Sequence, residues 1–307
     1  MATKTRFAPD RGLTSRMVLV MFLIGLLAVA FIAVLIAFVP PQSLPIVLVL
    51  AAIILGAQFF FSDKIATFAM GAHEVTPEQA PELHAMVDRL CAMANMPKPR
   101  VAIAETPVPN AFATGRNPNN AVICVTTGLM RNRNLTNEEV EGVLAHELSH
   151  VAHRDVLVIT IASFLGILAG MIARMALWFG IGGRGRRDQN AAMAELVIVL
   201  FSVVTYAISF LLVRALSRYR ELAADRAGAH LTGNPMALAS ALQKITGDMG
   251  KIPQQDLRAA EPYNAFYFAP ALTGKSVMSL LATHPSTEKR VEQLIKISGE
   301  LGQIGRS

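Results

Sequence analysis

The sequence predicts an α+β fold, mostly helical, in which a small sheet and its covering helices are joined to two hydrophobic helical hairpins. Three observations carry this. The 307-residue chain is 53% hydrophobic and only 16% charged, a balance foreign to a purely water-soluble domain and to a disordered one. Its apolar residues are concentrated in two pairs of long uncharged runs. Between and after those runs lie segments with helical spacing and two short β-type runs.

The first pair opens the chain. Met17 to Val39 is 23 residues without a charge, and at about 1.5 Å per residue such a helix spans a hydrocarbon core of about 30 Å with some tilt. Pro40, Pro41 and Gln42 then break it, and Ser43 to Phe61 supplies 19 more uncharged residues. A cleaved signal peptide is excluded by the length of the run and by the second run that follows at once. Lys4, Arg6, Arg11 and Arg16 precede the pair, the turn carries no charge, and Lys64 follows it. The positive-inside rule therefore puts the N-terminus and the chain after Phe61 in the cytoplasm. The second pair is Val156 to Ala173 and Leu196 to Val213, each 18 residues. The basic loop between them, Gly182 to Asp188, opposes the positive-inside rule if both cross. Two readings stay open: a full crossing, or a shallow dip. Four stretches result, 1–61, 62–155, 156–213 and 214–307, the second and fourth charged enough for water. The net charge of +6 is topological in such a chain, and no nucleic-acid partner is expected. Cys91 and Cys124 read as buried free thiols rather than a disulfide framework.

Within the water-facing stretches, Glu78–Ala94 carries Leu83, Met86, Val87, Leu90 and Cys91 at helical spacing. Arg100–Glu105 and Ala121–Thr126 are β-type runs separated by a turn-rich region, which predicts a small sheet with an exposed edge. Thr136-Asn-Glu-Glu139 is a capping box, so a helix starts at Thr136 and runs through Val140, Val143, Leu144 and Leu148 towards Arg154. Gly233-Asn234-Pro235 closes one helix and opens the next. His284-Pro285-Ser286-Thr287 precedes a last amphipathic helix with Val291, Leu294 and Ile295 on one face.

The helix opened by Thr136 contains His146-Glu147-Leu148-Ser149-His150. Positions i and i+4 share a helix face, so both imidazoles reach one metal ion, while Glu147 is rotated by about 100° to address a water held there. Two fixed nitrogen ligands and one carboxylate base are what a zinc hydrolase needs, together with a third protein ligand. His153 reads as a helix-end histidine, and His73, His84 and His230 as surface or structural residues. Glu221, with Asp225 one turn on, is the better third-ligand candidate. Asp225 would accept a hydrogen bond from a ligand histidine. The pair reads equally well as a charged face matched to Arg218 and Arg226. Asn110 to Gly115 reads either as a strand edge that holds a substrate strand by its backbone or as a plain turn. His284 reads either as a donor to the oxyanion of a tetrahedral intermediate, with Arg290 the alternative, or as a hydrogen-bonding residue around the site.

These residues resemble, in order and over nearly the whole chain, the HtpX family of bacterial membrane zinc metalloproteases, relatives of the CAAX prenyl proteases. The likeness rests on the N-terminal hairpin, Asn110-Ala111-Phe112-Ala113-Thr114-Gly115, the helix with His146, Glu147 and His150, and the second hydrophobic pair. Arg218-Tyr219-Arg220-Glu221-Leu222-Ala223-Ala224-Asp225 and His284-Pro285 complete it. Many relatives have an aromatic residue where Leu222 stands. The resemblance implies a zincin-like metalloprotease domain with one Zn2+ per chain held by His146, His150 and Glu221. Glu147 would be general base, Asp225 would support a ligand, and Asn110, Ala111, Phe112 and Ala113 would meet the substrate. It further implies a bacterial inner-membrane location, a cytoplasmic active site, and misfolded or damaged membrane proteins as substrates. A membrane scaffold with a structural zinc site is the competing reading, and Glu147, which a structural site does not need, argues against it. A prenyl-protein protease would have more spans than the four available here.

Overall fold

The computed structural model describes residues 11–38, 44–176, 189–249 and 284–304. The Pro40–Gln42 turn and the Gly182–Asp188 loop lie outside them. In chain order the elements are α1 (Arg11–Phe38), α2 (Leu44–Phe60), α3 (Ser62–Ala69), β1 (Ala72–Glu74), α4 (Pro81–Ala94), β2 (Arg100–Ala104), β3 (Ala111–Gly115), β4 (Ala121–Thr126), α5 (Thr127–Met130), α6 (Asn137–Ala152), α7 (Asp155–Met175), α8 (Gln189–Thr232) and α9 (Pro235–Met249). The last, α10, is Thr287–Ile304.

The sheet has the order β1-β2-β4-β3. β2 and β4 are parallel, while β1 and β3 run antiparallel to their neighbours, with Ala113 opposite Ile123. Strand periodicity sorts the side chains. Val101, Ile103, Ile123 and Val125 join the core beneath α4, α6, α9 and α10. Ala102, Ala104, Phe112, Val122 and Cys124 face the other way, onto Ala66 of α3. β3 is thus an edge strand, and its free edge faces α6. Gly115, at φ +142°, ends β3 where a Cβ would lie 2.3 Å from the Asn120 carbonyl. Burial raises both free thiols, Cys91 to about 11 and Cys124 to about 12.

A second core has the opposite logic. Phe31, Leu35, Leu165, Leu168, Ile172 and Leu216 pack α1 against α7 and α8. The outside is apolar too: Phe22, Val29 and Ile36 of α1 and Leu200, Val204 and Leu211 of α8 are exposed. Inside α8, Ser202, Thr205 and Ser209 are fully buried, and a Cβ on Gly166 of α7 would touch Ser209 at 3.4 Å. Small and polar residues inward with large apolar ones outward is the pattern of helices packed in lipid. Three described helices are long and apolar enough to cross a membrane: α1, α7 and the greater part of α8. The second uncharged run, Ser43 to Phe61, is α2, which ends at Phe60; α3 leaves it at 67°, where that run ends.

The boundary drawn at 213/214 on polarity falls inside α8, a continuous helix of 44 residues and hence roughly 66 Å long. Lipid-facing and water-facing lengths are parts of one rod. The expected face of the last helix needs correction: in α10 the buried residues are Arg290, Leu294 and Ile297, while Ile295 is exposed, because α10 turns the face carrying Arg290 and Leu294 towards α8 and α9.

The capping box of α6 is formed as expected. Glu139 N–H donates to Thr136 Oγ1 and Thr136 N–H donates to Glu139 Oε2. Glu139 also takes Lys244 Nζ at 2.7 and 2.9 Å and the Ser240 hydroxyl, both from α9. Burial raises its pKa, but the bonds from Lys244, Ser240 and the Thr136 backbone outweigh that, and the net shift is downward. A depressed carboxylate contributes stability above its unfolded pKa and loses it as pH falls through the folded one. Glu139→Gln, which keeps the cap but not the ion pair, should cost about 1 kcal/mol at pH 7. The gap should close below about pH 4, read from thermal unfolding in detergent at both pH values.

Candidate metal centre

α6 carries His146 and His150 on one face, and α8 brings Glu221 to them. The approach is close because Gly228, two turns beyond Glu221 on α8, lies against α6. A Cβ there would stand 2.9 Å from the His146 backbone nitrogen. His146 Nε2 and His150 Nε2 lie 3.2 Å apart. Glu221 Oε2 is 3.6 Å from the first, and Glu221 Oε1 is 3.5 Å from the second. One donor atom from each residue falls within 4.8 Å of the others. Glu221 is buried, and its polar neighbours include three imidazoles, His146 and His150 at 3.6 and 3.5 Å and His284 at 2.9 Å. A buried carboxylate so surrounded by nitrogen donors is a setting that a cation shared with them would complete. Two imidazoles and one carboxylate suit a divalent zinc ion with a position left open, so the residues fit the metal.

Each imidazole is held from behind. His146 Nδ1 lies 2.9 Å from Asp225 Oδ1, and His150 Nδ1 lies 2.6 Å from Asp155 Oδ2. Both carboxylates are themselves anchored. Arg290 of α10 donates to Asp225 from Nε at 2.8 Å and from Nη2 at 2.7 Å, and Arg220 pairs with Asp155. Arg220 also donates to the His153 carbonyl at 3.1 Å, which ties α8 to the end of α6. Burial and Arg290 push the His146 pKa down, but Asp225 and Glu221 outweigh them and it ends raised. At His150 burial prevails over Glu221 and the pKa ends lowered. Burial raises Glu147 against the pull of both imidazoles.

Glu147 lies beside the donor set without belonging to it. Its Oε2 accepts a hydrogen bond from the Ala113 backbone N–H at 3.1 Å, so the free edge of β3 and the carboxylate address the same space. That space is a cavity of 490 Å³ whose wall includes Ala113, Glu147, His150 and Glu221. The far wall is made by α2, α7 and α8. Asn110 is fully buried, and its backbone N–H donates to Thr126 Oγ1 at 2.8 Å; Ala111, Phe112 and Ala113 follow it along the edge strand. His284 lines the cavity, with Nδ1 2.9 Å from Glu221 Oε2. Arg290 is turned to Asp225, away from the role of oxyanion donor. His153 caps α6, His84 Nε2 sits 3.0 Å from the Val75 carbonyl, and neither joins the donor set. Asp155 is the functional residue that sequence reasoning missed. Arg154, at φ +55°, turns the chain between α6 and α7 and folds Asp155 back onto His150.

A helix-borne His-Glu-x-x-His with a distant glutamate, set beside an edge strand, defines a membrane-embedded metallopeptidase. Residues 77–298 match the model of peptidase family M48. A protease HtpX homologue of Streptomyces coelicolor is 58% identical over 301 residues, covering 98% of this chain and 97% of that one. One from Moorella thermoacetica is 50% identical, covering 97% and 98%. The chain belongs to peptidase family M48, with the HtpX proteases. Its fold is also that of Ste24p from S. mikatae, whose crystal structure superposes with a TM-score of 0.55 at 18% identity, covering 88% of this chain and 62% of that one.

Removing the support behind one imidazole should loosen the metal without touching a ligand. Asp155→Asn should weaken zinc binding by about 10- to 100-fold, measured by competition with a chromophoric chelator. Gly228→Val should part α6 from α8 and cost about 1–3 kcal/mol. Its readouts are a lowered melting temperature and a lower zinc content after purification.

Proposed function

We propose that the chain is a zinc-dependent endopeptidase of the cytoplasmic face of the bacterial inner membrane, acting on misfolded or damaged membrane proteins. The observation that carries this reading is the meeting of His146, His150 and Glu221 within 4.8 Å with Glu147 at their side and the free edge of β3 across from it. His146, His150 and Glu221 hold the zinc; Asp225 and Asp155 fix the tautomer and direction of the two imidazoles. When bound, the zinc acts as a Lewis acid towards the scissile carbonyl and makes water a stronger acid.

The remaining steps belong to the chain's own side chains. Glu147 accepts the proton of the attacking water and later delivers it to the leaving amine. Its carboxylate is held ready by the Ala113 N–H, a bond that positions it over the open side of the donor set. The edge formed by Asn110, Ala111, Phe112 and Ala113 takes the substrate as an added strand. That mode reads main chain rather than side chains and so admits varied targets. His284 has Nδ1 2.9 Å from the Glu221 carboxylate; carrying a proton on each ring nitrogen, it would offer Nε2–H to the oxyanion.

The division into an N-terminal hairpin (1–61), two parts of one protease body (62–155 and 214–307) and an intervening hairpin (156–213) goes with this reading. α7, with 21 residues, is about 31 Å long. The inward serines and threonine of α8 favour crossing over a shallow dip. The basic residues around the first hairpin favour a cytoplasmic protease body.

Glu147→Gln should retain stoichiometric zinc while its kcat on casein falls at least about 100-fold. Metal analysis and proteolysis of the detergent-purified protein read both. Wild type purified without chelator should accumulate self-cleavage fragments that the variant and a chelated preparation lack. Full casein cleavage by a zinc-loaded Glu147→Gln protein would remove Glu147 as the base, and absence of cleavage by zinc-loaded wild type would leave the scaffold reading in place.

A further inference from the structure

We infer that Arg214 forms a subsite for a carboxylate of the substrate, about three residues from the scissile bond; this rests on the peptidase reading above. Phe210, Arg214, Ser217 and Glu221 all line the 490 Å³ cavity. Their spacings of four, three and four put them on one face of α8. From Glu221 to Arg214 is seven residues, or about 10.5 Å of helix rise. An extended chain advances about 3.3 Å per residue, so a substrate laid along this face meets Arg214 some three residues from the metal ligand. Val156 and Ile159 of α7 and Val213 of α8 line the cavity as well, giving an apolar setting to the residues in between.

The charge balance of the cavity identifies the ligand. Its other ionised groups are engaged: Asp155 with Arg220, Glu147 with the Ala113 N–H, and Glu221 with the imidazoles. Arg214 is half-buried, its guanidinium stands 4.7 Å from the Phe210 ring centroid, and no carboxylate among the described residues pairs with it. A partly desolvated cation stacked on an aromatic face is a preorganised acceptor site for a planar carboxylate. An Asp or Glu side chain, or a terminal carboxylate, is the substrate group of that chemistry which a peptide brings.

Cleavage-site profiling tests this with the full-length, zinc-loaded protein in detergent, acting on a mixed peptide library read by mass spectrometry. Wild type should enrich Asp and Glu about three residues from the cut on one side. R214E should replace them by Lys and Arg and change the kcat/KM ratio of matched Asp and Lys peptides by about fivefold or more. R214K should keep the acidic preference, and R214Q substitutes for R214E if charge reversal lowers the yield. An unchanged profile in R214E and R214Q overturns the subsite. An effect seen only as a changed response to phosphatidylglycerol vesicles also overturns it, and assigns Arg214 to a lipid headgroup. Absence of zinc-dependent cleavage by wild type would instead defeat the peptidase reading itself.

Discussion

The contact of α8 with α6 at Gly228 governs the rest of the molecule. A side chain at that position would meet the backbone of His146 at 2.9 Å, so only glycine lets the two helices approach until Glu221 reaches both imidazoles. The approach is then locked by charge. Arg290 of α10 grips Asp225 of α8 through two nitrogens, and Asp225 in turn lies against His146 of α6. Three helices remote in sequence are joined by one buried chain of charged contacts, in which each group satisfies the next. Such a chain is worth having only complete, because breaking it leaves a buried charge without a partner.

The same helix belongs to both of the protein's cores. One end of α8 packs Leu216 with Phe31 and Leu165 among the lipid-facing helices; the other packs Ala227 and Ala229 with the sheet-bearing body. A continuous rod carries displacement from one end to the other. The Arg220–Asp155 pair sits at the joint, holding α8 to the start of α7 and, through Asp155, to His150. The donor set therefore lies at the place where the two cores meet, and its geometry depends on the packing of the apolar helices as much as on the sheet.

What the sequence made legible follows the range of the interactions concerned. His146, Glu147 and His150 were readable because their relation is one helix turn, and α6 announced its start through Thr136 and Glu139. The strand Ala121–Thr126 was readable from its composition. Glu221 was not readable from spacing, since a glutamate and an aspartate one turn apart are also an ordinary surface pair; resemblance to a family supplied the choice. Asp155 escaped because its partner depends on a left-handed turn at Arg154, a residue type that gives no warning of positive φ. The bond from Arg290, named only as an alternative oxyanion donor, to Asp225 escaped because the two lie 65 residues apart. The unbroken passage of α8 through position 214 was not legible, for a physical reason. Polarity marks where lipid ends, whereas helix continuity is set by backbone hydrogen bonds that arginine supports as well as leucine.

On the proposed function, a site at this junction would suit polypeptide that has left its own fold within or beside a bilayer. Such a chain exposes apolar side chains and unpaired backbone groups together, and each is costly in the wrong medium. The cavity offers both complements on facing walls. β3 presents a strand edge beside Glu147 on one side, and α7 and α8 present the apolar surface of helices that run on into the lipid-facing core. Neither wall requires a particular sequence, so selection falls to the few charged groups that line the space. Most of these are committed to holding the donor set. On this reading the protease would discriminate first by the unfolded state of its substrate, and only then by the residues that substrate carries.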